Sequence, residues 1–300
     1  MRTDLAIYGY VGRGMSKASR ARFVDFTERL GRAVRMEISI FEATSYEDLS
    51  NAVSSGYVDL AWLPPIPFMA LDRRSAICPL VAHRRADGYH SALIVAAASG
   101  LRRLRDLAGV RAAWVDRESA SGFLLARLAL VEAGIDPRRA FSEERFFGSH
   151  EAVARAVARG VSDFGATYAG VDAEGALSRA PWLGLDGVDA SAIRVLARVG
   201  DIPSDATVSR ATLSAATRTR VGDALLAMSE KATNQPLLRR LFGIERFVRW
   251  RPTGYEQFRR KVDEAARAGL LDLPHSTTAA PPRRHRPRRR CRGSPCTLRE

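Results

Sequence analysis

The sequence predicts an α/β protein of two similar lobes, each a mainly parallel sheet flanked by helices. Two observations carry this. Short apolar runs alternate with amphipathic segments along the chain, which is the pattern of βαβ units. One helix-to-strand unit also recurs. Ser45-Tyr46-Glu47-Asp48-Leu49 leads to Gly56, Asp59 and Leu60-Ala61-Trp62, and Ser149-His150-Glu151-Ala152-Val153 leads to Gly160, Asp163 and Phe164-Gly165-Ala166. In both, Ser to Gly is eleven residues and Gly to Asp three more, and the apolar positions match as well. Each unit reads as an N-cap Ser, an apolar helix face, a left-handed Gly at the C-terminus and then a strand.

Candidate strands, taken in order, are 5–8, 36–41, 58–63, 77–82, 92–97, 110–115, 164–168 and 193–197. Phe23, Phe26 and Leu30 lie on one helical face between the first two. Leu124, Leu128, Val131 and Ile135 form a second helical stripe. From about Pro274 the chain changes character. The run Pro281-Pro282-Arg283-Arg284-His285-Arg286-Pro287 has no apolar periodicity, and a disordered Arg/Pro-rich tail is expected over 274–300.

Composition excludes several classes. With 46% hydrophobic residues the chain can bury a sizeable core, and no apolar run is long enough to span a bilayer. Net charge is +14, but residues 275–300 hold eight Arg and one Glu and so supply half of it. The basic balance is therefore a poor reason to assign specific nucleic-acid binding, and the tail has no interleaved aromatics for base stacking. Of three cysteines, Cys78 sits in an apolar run, while Cys291 and Cys296 lack further ligands at zinc spacing. Met1-Arg2-Thr3-Asp4 runs directly into a strand pattern, with no charged segment followed by an apolar stretch. The expectation is either a cytoplasmic chain or a start upstream of Met1.

The most informative local segment is Ser119-Ala120-Ser121-Gly122, between a strand and a helix. A helix N-terminus presents free N–H groups and partial positive charge, which suits an anion. Ser119 and Ser121 add hydroxyls, and Gly122 permits close approach. Tyr46 and His150 each follow a capping Ser at a helix start. Tyr89-His90-Ser91 reads either as a crossover between lobes or as a surface turn. Gly9, Gly12 and Gly14 follow the first strand without the G-x-G-x-x-G order, and no P-loop Lys follows. There is no H-E-x-x-H or G-x-S-x-G, and the five His are not at metal spacing. Ser121 and His150 could meet, but no orienting acid is nominated.

Together these segments resemble the phosphate/phosphite/phosphonate substrate-binding proteins of ABC importers, which have the type 2 periplasmic binding protein fold. The resemblance covers residues 5–271 and is densest over 114–168. The family's Ser-Thr-Ser-Gly anion cradle reads Ser119-Ala120-Ser121-Gly122 here, with Ala120 in place of Thr. Tyr46 and Tyr89 match the family's two tyrosines, and Gly148-Ser149-His150-Glu151 matches its Gly-Ser-His step, where His150 would touch the ligand. Asp163-Phe164-Gly165-Ala166-Thr167 matches its D-x-G-A-T strand, and Asp172 is the candidate for an acid beyond it. The resemblance implies a two-strand hinge, a first lobe of 1–84 plus 190–273, and a second of 85–189. It also implies a monomer that binds a small phosphorus oxyanion between the lobes without catalysis, cofactor or metal, and passes it to a membrane permease from the periplasm. A cytoplasmic sensor of the same fold, and more remotely a Ser121/His150 enzyme, are the alternatives.

Overall fold

The computed structural model describes residues 5–13, 15–252 and 254–267. Met1–Asp4, Gly14, Cys291, Cys296 and the expected tail lie outside the described residues. The chain forms two sheets. The first takes β1 (Leu5–Val11), β2 (Glu37–Ala43), β3 (Leu60–Leu63) and β4 (Ile77–Arg84), and later β11 (Ala206–Arg210) and β12 (Arg246–Arg249), in the order β12-β4-β11-β3-β1-β2. The second takes β5 (Gly88–Ala96), β6 (Arg111–Trp114), β7 (Glu143–Phe146), β8 (Phe164–Val171) and β10 (Ile193–Val199) in the order β10-β5-β8-β6-β7. A short β9 (Leu177–Arg179) extends β8.

Each sheet is mixed rather than mainly parallel. Pairing is parallel where βαβ units follow one another, in β2-β1-β3 and β7-β6-β8. It is antiparallel where β11, β5 and β10 meet their neighbours. The reason is that the chain passes between sheets twice, at 85–87 and 200–205, and the strands flanking those passages enter against the local direction. The expected return to the first sheet at 190 is also later. Ile193–Val199 pairs antiparallel with β5, so the second sheet keeps the chain to Val199.

Helices α1 (Lys17–Val34), α2 (Tyr46–Ser54), α3 (Pro65–Arg73), α6 (Ala215–Glu230), α7 (Gln235–Phe242) and α8 (Tyr255–Arg267) flank the first sheet, and α4 (Leu125–Glu132) and α5 (His150–Ala158) the second. The α1 stripe is as expected. Phe23, Phe26 and Leu30 are fully buried, and Phe23 and Phe26 pack edge-on against Tyr8 of β1 at 5.3 and 5.7 Å. Each such burial contributes about 1.5–3 kcal/mol relative to exposure. The α4 stripe is different: Leu128, Val131 and Ile135 are half-buried, while Phe123, Leu124, Leu125 and Leu130 carry the core.

The repeat has a structural basis. Ser45 and Ser149 cap α2 and α5 by accepting from the Asp48 and Ala152 N–H groups. Gly56 and Gly160 sit at φ +77° and +68°, where a side chain would be strained. The aspartate three residues on then clamps the neighbouring strand. Asp59 donates its N–H to the Ile7 carbonyl and accepts the Ile7 N–H at 2.9 Å, and Asp163 does the same with Arg111, at 3.0 Å for the N–H it accepts. Each carboxylate also holds an arginine, Asp59 that of Arg210 and Asp163 that of Arg111. Removing a charged acceptor from a partly buried N–H costs about 1.5–3 kcal/mol. Asp59→Ala should therefore lower stability by that amount in urea denaturation, and the more exposed Asp163→Ala by less. A change below about 0.5 kcal/mol at Asp59 would show the clamp to be incidental.

Candidate functional site

A cleft of about 550 Å³ opens between the two sheets. Parallel βα units place helix N-termini at the carboxyl ends of their strands, and ligands of such sheets collect there. The residues that open α1 (Ser16, Ser19), α2 (Ser45, Tyr46) and α5 (Ser149, His150) accordingly all line this cleft. Three partial positive ends point at one volume, two from the first sheet and one from the second.

Of the predicted residues, Tyr46, Tyr89 and His150 are in the cleft wall. The Tyr46 hydroxyl has no hydrogen-bond partner among the described residues, and burial raises its pKa well above the usual value, followed in effect by the Asp205 charge. It is therefore a neutral donor. His150 joins its Nδ1 to the Thr167 hydroxyl at 2.9 Å and lies edge-on to Tyr168. Burial depresses its pKa to about 4, with Asp205 opposing and Arg85 and Arg179 reinforcing the shift, so it is neutral at pH 7.

The Ser119-Ala120-Ser121-Gly122 segment is placed differently from the expectation. It forms a buried π-helical turn, Ala120–Leu124, beneath the wall rather than in it. The Ser119 hydroxyl is used as a cap for the Gly122 N–H at 3.0 Å. A Cβ at Gly122 would strike Val115 and the Ser119 hydroxyl, so the tight turn itself requires glycine. Ser121 reaches the cleft through Tyr89, its hydroxyl 3.2 Å from the Tyr89 hydroxyl, while Ser91 donates to its carbonyl. The Ala120 and Ser121 N–H groups find no acceptor among the described residues. The turn thus sits one tyrosine away from the cleft. Asp172 is not in the cleft at all. Its carboxylate accepts the Ala176 N–H at 2.7 Å and so closes the turn between β8 and β9.

The charged residues of the cleft escaped the sequence reading. Arg85, in the first passage between sheets, has a side chain only 7% exposed. It meets Asp205, in the second passage, at 3.3 Å and stacks on the Tyr89 ring at 4.2 Å. Its Nε and Nη1 are buried without an acceptor. Asp205 also accepts the Trp62 indole N–H at 2.9 Å. Burial works against the Arg85 charge, but Asp205 and the neighbouring acidic groups outweigh it and its pKa is raised. Arg179 of β9 pairs with Asp87 and lies over the Tyr168 ring at 5.1 Å. Arg13, Arg239 and Arg240 add cations to the rim. Two arginines also bridge the gap in opposite directions. Arg13 of the first lobe rests on Gly148 of the second, where a Cβ would collide with its guanidinium. Arg179 of the second comes within 3.2 Å of the Cβ position at Gly243 of the first.

Acidic residues gather beside the wall residue Asp116. Burial holds the Glu118 carboxyl up to about 7, with Asp116 and Glu47 adding to the shift and Arg74 opposing it, and its Oε2 is buried without a partner. The folded chain therefore binds this proton more tightly than the unfolded chain. That contribution is fully present below the usual 4.5 and is lost as pH rises through about 7. Glu118→Gln should raise the melting temperature at pH 8 by several degrees, equivalent to about 1–3 kcal/mol, and change it little at pH 4. Equal shifts at both pH values in calorimetry would exclude a buried, ionising Glu118.

Comparisons with known proteins agree with this geometry. Residues 8–255 match the family model described as ABC transporter, phosphonate, periplasmic substrate-binding protein. A stretch of 162 residues is 28% identical to the phosphate-import protein PhnD of Mycolicibacterium smegmatis and spans 50% of each chain, so the match covers about half of that relative. PhnD1 from Prochlorococcus marinus in complex with methylphosphonate superposes with a TM-score of 0.74 at 15% identity, covering 89% of this chain and 99% of that one. XAC2383 from Xanthomonas citri bound to ATP superposes with a TM-score of 0.72 at 20% identity, covering 90% of this chain and all of that one. At these identities the superpositions speak for the two-lobed fold, and the family model for descent: the chain belongs to the periplasmic phosphonate substrate-binding protein family of ABC transporters.

Proposed function

We propose that this chain binds a small phosphorus oxyanion, a phosphonate, phosphite or phosphate, in the cleft between its sheets and delivers it to an ABC permease at the periplasmic face of a membrane. The observation that carries this is the convergence of three helix N-termini on one cleft that also holds a buried arginine with unmet donors. Such a volume favours an anion over a neutral or cationic ligand. Tyr46, Tyr89 and His150, with Ser121 behind Tyr89, supply neutral donors at its wall. When an anion draws Tyr89 aside, the Ala120 and Ser121 N–H groups complete the cradle, with Ser119 and Gly122 holding its shape. Charge-assisted bonds of this kind contribute about 1.5–3 kcal/mol each.

Binding without turnover is the reading that the side chains favour. The Ser121 hydroxyl faces Tyr89 rather than His150, and His150 turns its Nδ1 to Thr167 rather than to an acid. A histidine held near 4 is also a weak base at neutral pH. The two passages at 85–87 and 200–205 are the hinge, and closure around the ligand is the state that the permease recognises. No described helix is long and apolar enough to cross a membrane.

Methylphosphonate, phosphite and phosphate should each be tested by thermal shift. At a concentration 100 times its dissociation constant, the true ligand adds about 2.7 kcal/mol of stability. Tyr46→Phe should weaken binding about tenfold or more in calorimetry, with the ligand-free melting point unchanged, by loss of one bond to a charged group. Absence of any shift with all three oxyanions would overturn the reading.

A further inference from the structure

We propose that the ligand carries a second acidic group besides its phosphorus oxyanion, a carboxylate being the simplest, and that Arg85 receives it. This rests on the reading above and narrows its substrate class to phosphonocarboxylates and like dianionic compounds.

Arg85 is the most deeply placed cation of the cleft wall. Its side chain is 7% exposed, and its one acceptor among the described residues is Asp205 at 3.3 Å, a long contact for a charged pair. Nε and Nη1 are out of contact with water and have no partner. A guanidinium keeps its charge when buried and its donors are fixed in direction, so the unmet Nε and Nη1, each on its own side of the plane, call for anionic oxygen when the lobes close on a ligand. The Tyr89 ring fixes that plane from one face at 4.2 Å. The same tyrosine turns its hydroxyl to Ser121. One residue thus separates two anion-receptive points, the turn at Ser121 and the guanidinium at Arg85, and a ligand with two acidic ends fits both.

The charge around Arg85 also argues against a ligand with an amino group. Among the described residues Asp116, Glu151 and Asp205 are the carboxylates of the cleft wall, and Asp205, the one paired with Arg85, accepts both Trp62 and Arg85 on Oδ2. Arg179 lies over the neighbouring Tyr168 ring and within 6.0 Å of Tyr89, so an ammonium there would face two guanidinium groups.

The test compares phosphonoacetate with ethylphosphonate, which has a methyl in place of the carboxylate, and with 2-aminoethylphosphonate, which has the opposite charge. Titration calorimetry on the full chain should give phosphonoacetate an affinity at least about tenfold above ethylphosphonate, with 2-aminoethylphosphonate weakest. Arg85→Gln should collapse the preference for phosphonoacetate to below about threefold. Because Arg85→Gln leaves Asp205 without its counter-charge, Arg85→Lys serves as a second variant that keeps the charge and loses the planar, directed donors, and it should also reduce the ratio. Ethylphosphonate or 2-aminoethylphosphonate binding as tightly as phosphonoacetate overturns this inference and leaves oxyanion binding standing. An unchanged ratio in both variants overturns the assignment to Arg85. No binding of any of the three overturns the inference together with the oxyanion reading.

Discussion

The ion pair between Arg85 and Asp205 lies where the two passages between the sheets meet, and the cleft is built outward from it. Both side chains are nearly buried, at 7% and 9% exposure. Such a pair contributes little net stability, because desolvating two charges offsets their attraction. Its value is positional. The His83 N–H donates to the Asp205 carbonyl, and the Ile202 N–H donates to the Tyr89 carbonyl, so the two passages are stitched together by backbone as well as by charge. Trp62 then fixes Asp205 from the first sheet, and Tyr89 is fixed by Arg85 from below and leads to Ser121 in the second. A single chain of contacts therefore runs from one sheet through the hinge to the other.

The same arrangement explains why the nearby histidines are neutral. His83 is fully buried between Trp62, Phe242 and Phe247, with Nε2 on Thr207 at 2.9 Å, and burial lowers its pKa to about 3. A second cation beside Arg85 would be costly, so the fold uses imidazole there as a polar packing group. Positive charge is kept instead on arginines that can move with the lobes. Arg13 and Arg179 each cross the gap to a glycine of the other lobe, at φ +79° for Gly148 and +65° for Gly243. Absence of a Cβ at both landing points allows the close approach of cations that also line the cleft.

Much of this fold could be read from the residues, and the failures have physical causes. The two matched helix units were legible because capping Ser, left-handed Gly and clamping Asp are local requirements with fixed spacing. The strand β11 was not, because Thr207 and Ser209 break its apolar pattern while being fully buried, Thr207 being satisfied by Tyr8 and His83. The strands β7 and β12 lie at sheet edges and carry charge, as edge strands do, so no alternation marks them. Of the site, Tyr46, Tyr89 and His150 were legible because each stands beside a helix start or passage. The Ser119–Gly122 turn was legible as a helix start but not as a buried one, since nothing local reveals that Tyr89 covers it. Arg85 and Asp205 left no signal, because they come from separate passages 120 positions apart and each looks like an ordinary surface charge. The Pro79–Val208 register shift beside them is equally invisible before the sheet is assembled.

On the proposed reading, selectivity comes from the hinge rather than from the helix ends. Helix N-termini offer the same N–H groups to phosphate, sulfonate or carboxylate, and their partial charges fall off within a turn. They make the cleft anionophilic without choosing among anions. Choice requires a group whose donors are fixed in direction and whose charge is not already spent. The rim arginines Arg239 and Arg240 are exposed, with nothing among the described residues to fix the direction of their donors, and serve to draw anions in. Arg85 meets both: it is stacked, buried and only partly paired. Since it belongs to a passage proposed as the hinge, a ligand that satisfies its unmet donors would also act on the hinge. On that proposal recognition and closure are one event, carried by one guanidinium.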